Sequence, residues 1–195
     1  MSGSGDVQKM RTIVPMVLLL VAALAVFVVT RPDRFHVERS AMINAPSTTI
    51  FPHINDFRQW TAWSPWEKID PQLQRSYDGP PSGLGAAYRW AGNSHIGEGS
   101  MRITESTPNR RVGIALEFLK PFRTSNTATF TLTPDGAGTR VIWAMDGKGN
   151  LVSKLISLFT SMDKMIGTQF EKGLATLKGI AESAPGAPKP QGEIP

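Results

Sequence analysis

The sequence predicts an α+β fold: an antiparallel sheet with a long C-terminal helix laid across its apolar face, preceded by one transmembrane helix. Three observations predict it. Between Phe35 and Met145, one segment after another alternates apolar and polar residues, the period of a half-buried strand. From Leu151 to Ile180 the apolar residues recur every three or four positions, the period of an amphipathic helix. Ile13 to Val29 (IVPMVLLLVAALAVFVV) is apolar and charge-free, closed by Arg11 and Arg31.

The apolar run comes first in the chain. At ~1.5 Å rise its length as a helix is about 26 Å, close to the ~30 Å hydrocarbon core of a bilayer. Lys9 and Arg11, with the A-x-A pattern Ala23-Leu24-Ala25, also fit a cleavable signal peptide. The run continues past that pattern through Val26-Phe27-Val28-Val29, longer than a secretory core of about 7–15 residues, so it reads as an anchor. Residues 1–12 are then a short tail and 13–30 the anchor. Lys9 and Arg11 on one flank nearly balance Arg31, Arg34 and Arg39 on the other. The reading keeps the short tail cytoplasmic and the domain outside, since long domains translocate largely regardless of flanking charge.

Phe35 to Ala45 alternates as a strand, with Arg39 and Met42 out of pattern. Pro46 opens a short helix whose Ile50, Phe51 and Ile54 share a face, and Pro52 is expected to disturb or shorten it. Asp56 to Pro71 is turn-rich and aromatic. Ala86–Trp90 and Ile96–Thr104 flank Gly92-Asn93-Ser94, a hairpin signal. Strands follow around Val112–Phe118, Ala128–Leu132 and Val141–Met145, the last two joined by Asp135-Gly136-Ala137-Gly138. The helical stripe through Leu151, Leu155, Leu158, Met162, Ile166, Phe170, Leu174, Leu177 and Ile180 has an expected break near Ser161-Met162-Asp163. An antiparallel sheet with one apolar face needs a cover, and this helix is the only element large enough. The domain runs over 35–182, and Ser183–Pro195 (SAPGAPKPQGEIP) reads as a disordered tail.

Composition excludes several functions. There is no cysteine, hence no disulfide, thiolate metal site or cysteine nucleophile. The net charge of +5 is scattered, with no basic run of the nucleic-acid kind. His36, His53 and His95 have no metal-ligand spacing, so no metal is expected. No Gly-rich nucleotide fingerprint or nucleophile elbow is present, and no cofactor is expected. The sequence sets no oligomeric state.

The chemistry-bearing candidates are mostly aromatic. Trp60, Trp63 and Trp66 fall within one short segment, where they either line a pocket or pack under the sheet edge. Tyr88, Trp90, Trp143 and Phe170 share that ambiguity, and so do the thioethers Met145, Met162 and Met165. Glu98, between Gly97 and Gly99, either projects into a cavity or faces solvent, and its glycines either leave room for a ligand or mark a bulge. Glu98, His95 and Tyr88 are the first residues to test for catalysis, and no catalytic constellation stands out.

Several pieces resemble the START-like or SRPBCC superfamily of polyketide cyclase/dehydrase-like proteins. They are Ala45-Pro46 with Ile50-Phe51, Trp60-Thr61-Ala62-Trp63-Ser64-Pro65-Trp66 with Asp70-Pro71, and Gly83-Leu84-Gly85-Ala86 leading to Tyr88 and Trp90. Thr139-Arg140-Val141-Ile142-Trp143 and Phe170-Glu171-Lys172-Gly173-Leu174 complete the likeness. The resemblance implies the helix-grip fold, a curved antiparallel sheet of about six or seven strands gripping the C-terminal helix around a cavity. It also implies binding of lipids, sterols, polyketides or other apolar molecules, with a membrane-anchored apolar-ligand domain as the leading expectation. The alternatives are a polyketide cyclase, aromatase or dehydrase-like enzyme, and a membrane-tethered interaction module linked to stress or chaperones.

Overall fold

A computed structural model describes residues 34–148 and 162–184, together with scattered positions between 13 and 30. The chain begins with strand β1 (Arg34–Ile43) and helix α1 (Ser47–Asn55). A 3-10 turn (Phe57–Gln59), helix α2 (Trp60–Trp63) and a second 3-10 turn (Pro65–Lys68) follow. Six strands come next: β2 (Gln74–Asp78), β3 (Ala87–Ala91), β4 (Glu98–Thr107), β5 (Arg111–Lys120), β6 (Thr124–Asp135) and β7 (Gly138–Lys148). Helix α3 (Met162–Glu182) closes the domain.

The sheet has seven strands in the order β1-β7-β6-β5-β4-β3-β2, every neighbouring pair antiparallel. Consecutive strands from β2 to β7 are hairpin neighbours, and β1 joins at the far edge beside β7. Register shifts between β4 and β5, at Glu98/Gly99 and at Ile103/Glu105, mark bulges that bend the sheet. The bulge reading of the Gly97-Glu98-Gly99 segment is therefore the one that applies. A Cβ on Gly99 would meet the Trp90 indole and the Glu117 carbonyl, so no ligand space exists there.

Three local expectations need correction. Strand β2 (QRSYD) is absent from the sequence reading because only Tyr77 of its five residues is even partly buried; a polar edge strand carries no alternation. Helix α1 continues past Pro52 to Asn55, and Pro46 takes the N-cap instead of the first turn. Interior proline costs ~3 kcal/mol. Burial of Ile50, Phe51 and Ile54, each worth ~1.5–3 kcal/mol, outweighs it. Arg39 breaks the alternation of β1 because its partners lie on α3: its guanidinium donates to Asp163 Oδ1 at 2.8 Å and Glu171 Oε1 at 2.7 Å. Gly167 leaves it that room, since a Cβ there would overlap the guanidinium.

Among the described residues no helix is long and apolar enough to cross a membrane. The expected anchor Ile13–Val29 lies in part outside the described residues. Where it is described, its positions are helical, and Ile13, Val14, Met16, Leu18, Leu19, Leu20 and Val26 are exposed. The helical stripe from Leu151 to Ser161 and the tail from Pro185 onward also lie outside them.

Helix α3 buries Phe170, Leu174, Leu177 and Ala181, one face at helical spacing. Trp143 of β7 stacks on Phe170 with centroids 4.1 Å apart and planes 10° from parallel, and on Phe130 of β6 at 4.7 Å. Trp60 and Trp63 meet Trp143 edge to face, at 6.2 and 5.4 Å. Their indole N–H groups donate to the Ile54 and His53 carbonyls, both at 3.0 Å, which ties α2 to the end of α1. The far end of α3 reaches β1: Lys178 Nζ donates to the Met42 carbonyl at 2.6 Å, and the Asn44 N–H donates to Glu182 at 2.6 Å.

A Cβ on Gly173 would stand 2.8 Å from Trp143 Cζ3 and 3.1 Å from Pro65 Cδ. The stacked Trp143 ring has nowhere to go. Gly173→Ala gains ~1 kcal/mol of helix propensity but overpacks the core at ~1–3 kcal/mol. The expected outcome is a net loss of about 1 kcal/mol in urea unfolding, and a stabilised variant would refute the packing assignment.

Candidate functional site

The inner face of the sheet does not pack solidly against the helices. A cavity of about 300 Å³ opens between β1, β3–β7, the α2 region and the first turns of α3. Six sequence candidates line it: Trp60, Trp66, Tyr88, Trp90, Trp143 and Met145. The alternation of β3 and β7 turns Tyr88, Trp90, Trp143 and Met145 to this face. Tyr88 and Trp90 stack at 5.9 Å, and Phe118 of β5 meets Trp90 edge to face at 5.7 Å. The second 3-10 turn holds Trp66 over Trp143 and Phe170.

The remaining candidates lie elsewhere. Trp63 and Phe170 are fully buried in the core behind the cavity. Glu98 points away from it and accepts from Lys120 Nζ at 2.7 Å, because the bulge leaves Gly99, not Glu98, under Trp90. Met165 sits exposed on the outside of α3. The Met162 side chain lies outside the described residues. His95 occupies the β3–β4 turn, where its backbone N–H donates to Asn93 Oδ1. Of the three residues singled out for catalysis, Tyr88 alone lines the cavity.

The polar part of the wall was not foreseen. Glu67 lines the cavity with a side chain only 6% exposed. One carboxylate oxygen accepts from Tyr88 Oη at 2.6 Å and the other from Arg75 Nε at 2.6 Å. Arg75 also donates to the Glu67 and Leu73 carbonyls. A carboxylate in that setting needs both partners, because an unpaired charge out of water is costly. Arg75 comes from the polar edge strand β2 and Glu67 from the aromatic loop; no motif spacing links them to Tyr88. The one available signal was the neighbourhood of Glu67 to Trp66.

Burial pushes the Tyr88 phenol well above its ordinary value, helped by the hydrogen bond it donates to Glu67. Burial also raises Tyr77, whose ring packs 5.4 Å from Tyr88 and carries the Arg58 guanidinium 4.9 Å above it. The Glu67 carboxylate raises Arg75. Two further wall residues, Trp143 and Asn126, hold a buried indole N–H and amide oxygen with no hydrogen-bond partner among the described residues. No group of three or more His, Cys, Asp or Glu able to hold a metal occurs among the described residues. The arrangement suits an apolar molecule with oxygen functions at one place.

A family model described as polyketide cyclase / dehydrase and lipid transport matches residues 34–182. The chain belongs to this family. The match spans the whole sheet and α3 and leaves the apolar run outside it. A crystal structure of a protein from Chromobacterium violaceum is similar over 79% of this chain and 100% of its own, with TM-score 0.56 and 14% identity. The di-domain ARO/CYC protein BexL of the BE-7585A biosynthetic pathway is similar over 92% of this chain, with TM-score 0.58 and 17% identity. The chain spans 61% of BexL. The solution structure of the Aha1 dimer from Colwellia psychrerythraea covers 78% of this chain and 99% of its own, with TM-score 0.53 and 16% identity. Identities this low show a shared fold and no more. No curated protein matches the sequence. The superfamily resemblance and the helix-grip architecture are thus shown for the family domain.

Two pH responses follow from these surroundings. Both tyrosines of the chain are raised, so absorbance at 295 nm should show no phenolate forming in the folded protein near the ordinary value of about 10. Stability should fall above that pH, since only the unfolded chain ionises there. At the acid end, burial lowers His53, whose Nδ1 is buried without a partner among the described residues. Its neutral form is favoured by folding, so it removes stability as pH drops through about 6.5. His36 is raised by its hydrogen bond to Asp146 at 2.8 Å, so its contribution is present below that pH and lost as pH rises through the raised value. Urea midpoints from pH 7 to 5 should fall more steeply in His36→Gln than in the parent, and less steeply in His53→Leu.

Proposed function

We propose that this domain takes an apolar, oxygen-bearing molecule of the polyketide type into the cavity and serves its cyclisation or dehydration there. The observation that carries the reading is the Glu67–Tyr88 pair in the wall of an otherwise apolar pocket. Family membership and the likeness to an ARO/CYC protein support it. Aromatic walls fold a flexible chain by burying it, at ~25 cal/mol per Å² before association costs. Glu67, whose carboxylate is oriented by Arg75, is the base for a carbon-bound proton lying between two carbonyls. Tyr88, held protonated by burial, turns its O–H from Glu67 to the carbonyl oxygen under attack and is the donor there. A carbon–carbon bond forms, the carbonyl becomes a hydroxyl, and the proton taken by Glu67 returns to Tyr88 along their hydrogen bond. Glu67 then takes a second proton from the same carbon while Tyr88 protonates the hydroxyl, which leaves as water with formation of a carbon–carbon double bond.

A second reading, binding or carriage of a lipid or other apolar molecule without chemistry, is favoured by the tight engagement of Glu67 by Arg75. Both readings place the domain on a membrane through the run at 13–29, with the domain on the extracytoplasmic side. The length and charge-free character of that run support the tether.

The full-length protein, incubated with a linear β-polyketone, is expected to retain it in native mass spectrometry and to release a product lighter by water. Glu67→Gln should keep binding within about threefold and lower turnover by about 10²–10⁴-fold, the range for a general base. Retention with no mass change in the parent would decide for carriage. Failure to retain polyketones or lipids would overturn both readings.

A further inference from the structure

The end of the sheet where the cavity opens has an unusual surface. β5 and β6 meet there in the turn Leu119-Lys120-Pro121-Phe122-Arg123, closed by the Phe118–Thr124 pair. Phe118 and Thr124 line the cavity, and so do Phe35 at the start of β1, Lys148 at the end of β7 and Ile166 early in α3. The strand register puts these positions at one end: Arg34 pairs with Lys148, and Asn126 pairs with Gly147. The mouth therefore lies between the β5–β6 turn and the point where residues preceding Arg34 enter the domain.

This rim is apolar where solvent would favour polar groups. Phe122 is 51% exposed and Leu119 41%. Cations flank them. Arg34, Arg123 and Lys148 form no ion pair among the described residues, although Arg34 and Lys148 share a groove with Glu117 and Asp146; Lys120 is paired with Glu98. Exposed aromatic and aliphatic side chains beside unpaired cations are the composition that binds an anionic lipid interface. The apolar run 13–29 joins the domain at this same end.

We propose that the β5–β6 turn, with Phe122 and Leu119 inserted and Arg123, Arg34 and Lys148 at headgroup level, docks on an anionic bilayer surface and sets the cavity mouth against it. The proposal rests on the reading that 13–29 tethers the chain to a membrane. Docking would let an apolar ligand pass between bilayer and cavity without crossing water.

The chain has no cysteine, so single probes can be placed at will. Full-length Phe122→Cys, Leu119→Cys and Ala137→Cys variants, each carrying an environment-sensitive dye, are reconstituted in vesicles of phosphatidylcholine and phosphatidylglycerol containing nitroxide lipids. Ala137 lies in the β6–β7 turn at the opposite end of the sheet. Quenching at 122 and 119 is expected to exceed that at 137 by at least about threefold. The excess should shrink when phosphatidylglycerol is left out or Arg123→Glu is added. Equal quenching at all three positions overturns the proposal. Flotation of the same vesicles after a wash in about 1 M salt, which screens an electrostatic dock, reads the tether separately: flotation with equal quenching leaves the tether standing without docking, and no flotation with equal quenching removes both. Excess quenching without flotation supports docking that needs no tether. Concentration-dependent shielding of the 122 probe without vesicles would assign the surface to a second copy of the chain and overturn the lipid assignment.

Discussion

The stack of Trp143 on Phe170 is the contact on which the rest of this domain depends. It joins the middle of β7 to the buried face of α3 at 4.1 Å, and Trp60, Trp63 and Trp66 all meet the same indole. Sheet, C-terminal helix and the aromatic loop thereby share one anchor point. Gly173 exists in α3 because that ring needs the space of a missing side chain. Packing is dense around the stack and incomplete beyond it, towards Phe35 and Ile166, and the cavity is what remains. The space is a consequence of where the helix is pinned.

A cavity walled by indoles and thioethers carries little chemistry of its own. The single ion pair in its wall changes that. Glu67 is held by Arg75 at 2.6 Å and joined by a phenol that burial keeps protonated. Proton acceptor and proton donor thus touch in a place that water barely reaches, where electrostatic interactions are least screened. The same tight pairing also secures the loop that carries Trp66 against β2 and β3, so one triad serves wall and scaffold together.

The fold was legible in the sequence because its strands have one wet and one dry face and its last helix follows a different period. β1, β3 to β7 and α3 all follow from such patterns. β2 does not, since both faces of a short edge strand are wet and nothing alternates. Six of the eleven ligand-site candidates line the cavity, which reflects the bias of strand alternation and aromatic clustering towards the interior. The same bias could not separate Trp63 and Phe170, which are core, from Trp60 and Trp143, which are wall; a side chain's depth is fixed by tertiary packing. For Glu98 the sequence left cavity and solvent both open, and the bulge that resets the alternation at Gly99 turns it outward. Glu67 and Arg75 left no trace because their partnership joins a loop to an edge strand.

The reach of α3 across β1 has a further bearing on how this protein behaves in company. A sheet that is not closed into a barrel leaves a row of backbone donors and acceptors at each rim, an invitation to a foreign strand. At the β1 rim, Lys178 takes up the Met42 carbonyl, Glu182 receives the Asn44 N–H, and Arg39 binds the strand to the helix. The helix side chains thus occupy positions that another strand would claim. The opposite rim is β2, five residues long and charged. Growth of the sheet by templated addition is discouraged at both rims, by occupation at one and by brevity at the other. A protein at high local concentration has the greatest need of such protection.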